Sequence, residues 1–177
     1  LSIIKGLEAQ KLCHRSISAQ NLFFFDQKMK SIVLGDNASA PPGFHQESIY
    51  EPIERAMCNP EGRGEGETSD DIYALGVTIG VLLLGFNPMK RLEQEDQIRE
   101  RITRGSFDAI FGKANFSEAA KEISTEVYPP LQGMMHDNSS ERWKLENVEN
   151  WIDSQTPHIV QPITITPSLA GFSFKNK

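Results

Sequence analysis

His14-Arg15-Ser16-Ile17-Ser18-Ala19-Gln20-Asn21, then Leu22-Phe23-Phe24-Phe25, then after a polar break Ser31-Ile32-Val33-Leu34-Gly35-Asp36-Asn37-Ala38, is the stretch that decides the fold. The two apolar runs, 22–25 and 31–34, flank Asp26, Gln27 and Lys28, so they read as the strands of a hairpin. A compact loop, 13–21, leads into the first strand. From 36 to 43 the chain is small and rich in Pro and Gly, hence loop. Read alone, Asn21 and Asp36 are a loop Asn and a turn Asp whose side chains hydrogen-bond nearby backbone.

Upstream, Ile3, Ile4 and Leu7 give 1–11 the spacing of a helix end. Downstream, 53–57 predicts one helical turn. Residues 59–69 are polar, with Gly62, Gly64 and Gly66; no strand leads in, so a solvated loop is expected and not a phosphate cradle. Thr68 or Ser69 is the expected N-cap of the next helix, and Asp70 and Asp71 suit its first turn. That helix, 71–84, is apolar on nearly all sides, so other elements must surround it. Segment 93–104 predicts a partly exposed amphipathic helix with Ile98 and Ile102 four apart. Segment 116–135 predicts one or two helices, interrupted near Pro129 and Pro130. Leu145, Val148, Trp151 and Ile152 trace the stripe of a last helix. Prolines 157, 162 and 167 then enforce extended backbone, so 156–177 is expected to be a tail or linker. The fold class is mainly α with a small β-hairpin, helices packing around a buried central helix, in one domain over 1–155.

Composition narrows function. A chain of 177 residues suits one domain, burying about 70% of its unfolded surface. With 18 Lys and Arg against 24 Asp and Glu, the net charge of −6 offers no basic excess, which disfavours nucleic-acid binding. Cys13 and Cys58 lack Cys-x-x-Cys spacing, so reduced thiols in a cytoplasmic protein, or the cytoplasmic part of a larger one, are expected. The longest apolar run, 72–86, carries three glycines and is shorter than the ~20 residues of a membrane span, so no membrane insertion is expected. The chain opens on Leu1 with no signal pattern, as a partial product would.

The loop-strand-turn-strand-Asp order resembles the C-terminal lobe of eukaryotic-like serine/threonine protein kinases, and within that family the bacterial proteins. The family's catalytic loop reads His-Arg-Asp-Leu-Lys-x-x-Asn and its metal-binding segment Asp-Phe-Gly. Further segments agree in order. Tyr50-Glu51-Pro52-Ile53-Glu54 stands where the family has Tyr-x-Ala-Pro-Glu. Ser69-Asp70-Asp71-Ile72-Tyr73-Ala74-Leu75-Gly76 is similar to its Ser-Asp-x-Trp-Ser-Leu-Gly, and Glu141-Arg142-Trp143 to its Arg-containing loop. The resemblance implies that Asn21 and Asp36 are Mg²⁺ donors. It implies that His14 and Arg15 are architectural, and that Asp71 holds the loop backbone from the start of the central helix. Glu54 and Arg142 would form an internal ion pair; if paired and buried, losing one partner costs about 3–5 kcal/mol.

The departures carry as much weight. Ser16 stands at the position of the catalytic Asp, and a neutral hydroxyl has no basicity to accept a proton near pH 7, where a positioned base is worth roughly 10²–10⁴-fold. Ser18 stands at the loop Lys, so a positive charge is missing where negative charge develops. Asn37-Ala38 replaces Phe-Gly. The family's glycine loop, strand Lys and helix Glu belong to an N-terminal lobe, absent from this chain, so Mg and ATP are expected only in a full-length protein and neither for this chain. The reading implied is a pseudokinase acting through protein–protein contacts in signalling. One alternative is an ATP-dependent serine/threonine kinase, a transferase active only with the missing lobe. A second is a structural module joined to a sensor or membrane region. The surface an N-terminal lobe would cover, near 22–25 and the first helix, is expected to expose apolar side chains for self-association or a protein partner.

Overall fold

A computed structural model describes residues 1–24, 26, 31–35, 43–112 and 118–155. Helix α1 (Ser2–Glu8) leads through a loop and a 3-10 turn (Ala19–Asn21) into β1 (Leu22–Phe24), which pairs antiparallel with β2 (Ile32–Leu34). The register sets Leu22 against Leu34, Phe23 against Val33 and Phe24 against Ile32. There follow α2 (Ile53–Ala56), α3 (Thr68–Leu84), α4 (Gln94–Arg104), α5 (Ser106–Ile110), α6 (Glu118–Met134) and α7 (Leu145–Gln155). Among the described residues the chain is therefore mainly helical with one two-stranded hairpin. Phe25, Gln27 and Lys28 of the expected turn, Asp36 to Ala38 and the expected tail 156–177 lie outside the described residues.

Helix α3 is the hub. Ile72, Tyr73, Ala74 and Val77 are buried in one cluster with Ile110, Phe111, Leu131, Met134, Met135, Leu145 and Val148. Its neighbours approach closely because two turns of the helix lack a Cβ. A methyl on Gly80 would lie 2.3 Å from Phe111 Cζ, and one on Gly76 2.9 Å from Met134 Cβ. Phe111 is itself buried and cannot swing aside, so Gly80→Ala is expected to cost about 1–3 kcal/mol by overpacking, read as a lower urea midpoint. Gly85 ends the helix in the left-handed region at φ 77°, its N–H bonding the Val81 carbonyl.

Three expectations are corrected, and a fourth element brings an unexpected burial. The N-cap of α3 is Glu67, not Thr68 or Ser69: Asp70 Oδ2 accepts the Glu67 N–H at 2.8 Å, and the helix begins at Thr68, three residues before the expected 71. Helix α6 is one helix passing through Pro129 and Pro130. The prolines remove two amide donors, but Pro130 and Leu131 pack into the core beneath α3, and tertiary burial outweighs the lost bonds. Helix α4 is the partly exposed helix expected, but its buried residue is Arg101, while Ile102 is 59% exposed, because the surface α4 meets presents carbonyls and a phenol. The 59–69 segment is not merely solvated, since Arg63 within it is buried.

The hairpin leaves both faces open. Phe23, Phe24, Ile32 and Val33 are all exposed, as are Ile3 on α1 and Leu12 just after it.

Candidate functional site

Segment 13–21 is held from α3. The Asp71 carboxylate accepts the His14 N–H at 2.6 Å and the Arg15 N–H at 2.9 Å. Asp71 is buried, and that burial pushes its carboxyl above the usual range against the pull of the two N–H bonds. This grip fixes Arg15 at φ 59°, a conformation uncommon for a residue with a Cβ. His14 Nε2 donates to the Gly35 carbonyl at 2.8 Å, so the loop is tied to the end of β2 as well.

The Arg15 side chain turns inward. Its Nη2 donates to both oxygens of Glu51, at 2.9 and 2.8 Å, and its Nη1 to the Gly64 carbonyl at 2.9 Å. Both partners of this ion pair are 1% exposed, and Arg63 Nη1 stands 3.9 Å from Glu51 on the other side. Burial pushes the Glu51 carboxyl up, opposed first by Arg15 and then by Arg63. A second tier surrounds Asp70, which pairs with Arg55 and lies 3.6 Å from Arg142 Nη1. Arg142 Nη2 meets Glu54 Oε1 at 2.9 Å. The Glu54 side chain is 42% exposed, so solvent screens that contact and the 3–5 kcal/mol reckoned for a fully buried pair does not apply.

Arg101 is different again. Its guanidinium donates to the carbonyls of Ser48 and Glu51, to Tyr73 Oη and to Ser106 Oγ, and lies over the Tyr73 ring at 5.6 Å. It fastens α4 to α3 and to the segment before α2.

Ser16, Ser18, Gln20 and Asn21 line one side of a recess of about 230 Å³; His45, Gln46, Glu47 and Tyr50 line the other. Asn21 Nδ2 donates to the Ser16 carbonyl at 2.9 Å and to Ser16 Oγ at 3.2 Å. The Gly35 N–H bonds the Asn21 carbonyl at 2.8 Å, and the site of a Gly35 Cβ is filled by Asn21 Oδ1. The hairpin thus brings Asn21 beside the residue that precedes Asp36 in sequence. Asp36 lies outside the described residues, and a single neutral amide oxygen does not by itself hold Mg²⁺. Among the described residues no cluster of three His, Cys, Asp or Glu is placed to hold a metal. His14, Arg15, Asp71, Glu54 and Arg142 all belong to the polar framework behind the recess.

Sequence reasoning did not assign Glu51, Arg63 or Arg101. Each is a charged residue enclosed by segments distant in the chain, which no local period reveals. The one local hint is at Arg63, set between Gly62 and Gly64.

Cys13 and Cys58 are free. The Cys13 thiol donates to the Glu65 carbonyl, and burial, followed by the charge of Asp71, raises it from 9.0 to about 11. Since only the thiolate attacks, Cys13 is expected to alkylate much more slowly than the exposed Cys58 at pH 8, by peptide mass spectrometry, and to gain reactivity as pH rises towards 11. Equal rates at pH 8 would contradict this environment.

Comparison with known proteins gives a distant relationship. No family model matches the chain. MAP kinase-activated protein kinase 2 of Drosophila melanogaster is 24% identical over 159 residues, an alignment taking in 82% of this chain and 42% of that protein. The chain therefore spans less than half the length of the curated relative it matches. The likeness supports a protein-kinase-like relationship, and nothing finer.

Proposed function

We propose that residues 1–155 form a kinase-like C-terminal lobe with impaired phosphoryl transfer, acting by protein contact. The observation that carries this reading is Ser16. At the position where the resemblance puts the proton-accepting Asp, the side chain is a hydroxyl that receives a hydrogen bond from the Asn21 amide. A group that is neutral near pH 7 does not take up the proton of an incoming alcohol, and the charge of a loop Lys is also missing at Ser18. Support for contact as the mode of action comes from the hairpin, where Phe23, Phe24, Ile32 and Val33 are exposed together.

Two measurements test this. This chain is expected to show self-association or a bound partner that is lost in the double variant Phe24→Glu/Ile32→Lys, read by light scattering. A strictly monomeric, unpartnered species contradicts the contact role. Thermal shift with ATP and Mg²⁺ separates the alternatives: an active kinase requires a shift in the full-length protein, and a purely structural module requires none.

A further inference from the structure

Gly62, Gly64 and Gly66 mark a loop to which the kinase-like reading gives no role. Its centre, Arg63, is 3% exposed although Glu61, Gly62, Gly64 and Glu65 around it are open to solvent. Arg63 Nη1 donates to the Gly43 carbonyl at 3.1 Å and to the Gln46 carbonyl at 2.9 Å. Those acceptors sit on the segment 43–51, the far wall of the recess that Ser16 and Asn21 line. Both bonds go to backbone, so the grip does not depend on which side chains the segment carries.

The loop also encloses the other tie on that wall. Gly64 and Gly66 adopt φ of 70° and 86°, and a methyl on Gly66 would lie 2.4 Å from Arg15 Nη1. These backbones close around the guanidinium that holds Glu51, the C-terminal end of the segment. Arg63 is in turn fixed from α2, where Arg55 Nη1 donates to its carbonyl at 2.7 Å.

We propose that loop 59–66 is a clasp, and that Arg63 is a positioning residue holding the 43–51 strap closed against the recess. The strap has three unequal fastenings. At Glu51 it is tied by a buried ion pair, and over 48–51 by Arg101, which donates to the Ser48 and Glu51 carbonyls, and by the core that encloses Ile49 and Tyr50. Around Gly43 to Gln46 it is tied by Arg63 through two carbonyl bonds. Releasing Arg63 frees 43–47 while 48–51 stays fastened, so that end swings about Ser48 and widens the recess without unfolding α3. Access to the recess is thus governed by a residue outside it.

Hydrogen exchange of the full chain with and without Arg63→Met tests the clasp. Loss of the two carbonyl bonds predicts about tenfold or faster exchange of the amides in 43–47, with the buried amides of α3 within about twofold of the unsubstituted protein. Unchanged exchange in 43–47, or an equal rise in 43–47 and α3, overturns the proposal. Should Arg63→Met not fold, Arg63→Lys supports the same comparison, since it keeps the cation near Glu51 but loses the fork that spans two carbonyls.

Discussion

Glu51→Ala is expected to cost about 3–5 kcal/mol of folding stability. The carboxylate lies between two guanidiniums, one bonded to both its oxygens and the other 3.9 Å away, and the side chains of all three are almost wholly buried. Truncation strands both cations where water does not reach them. Arg15 retains only the Gly64 carbonyl for its Nη1, and Gly43 and Gly66 press too close for it to move aside. The loss should appear in urea melts as a lower midpoint with an unchanged slope. Replacing both partners, Arg15→Met with Glu51→Leu, is expected to cost clearly less than the two single changes added together, because no charge is then left alone. A Glu51→Ala cost below about 1 kcal/mol would mean the pair is not buried as described.

Asp71→Ala is expected to be next, at about 2–4 kcal/mol. It orphans two buried amides, those of His14 and Arg15, and each unpartnered donor costs about 1–3 kcal/mol. Relief of the carboxylate's own burial, which already pushes its proton affinity up, keeps the sum toward the lower end. Arg15 would then have no reason to remain at positive φ, so the 13–16 loop should relax as well as the fold weaken. Asp71→Asn keeps one acceptor and turns a donor toward the second amide, so it should fall between the two. Denaturant midpoints together with exchange at 14 and 15 check this; unchanged exchange at those amides contradicts the assignment.

What the sequence disclosed, and what it hid, follows from the range of each interaction. The hairpin was legible because strand residues 22–24 and 32–34 are apolar runs with a polar break between them. The central helix was legible because an all-apolar segment has few other places to go. Asp71 was legible as a helix-start carboxylate. Arg101 was not, because Ile98 and Ile102 suggest a buried stripe, and only the polar surface opposite, Tyr73 Oη with the Ser48 and Glu51 carbonyls, explains the reversal. Pro129 and Pro130 read as a break, since sequence shows the lost donors and not the core that α6 is pressed into. Glu67 was hidden behind better capping residues, and its selection depends on the Asp70 side chain turning back. The Arg15–Glu51–Arg63 cluster joins three loops of no regular period, so composition carries no trace of it.

Transfer of the γ-phosphate is the most direct test of the central reading. Full-length protein carrying this chain, incubated with γ-labelled ATP and Mg²⁺ and an excess of serine- and threonine-containing acceptor, is expected to leave the acceptor and itself unlabelled. Labelling that proceeds in the unsubstituted protein and vanishes in Asp36→Ala would show a working phosphotransferase, and would contradict the claim that an alcohol at Ser16 has ended that chemistry.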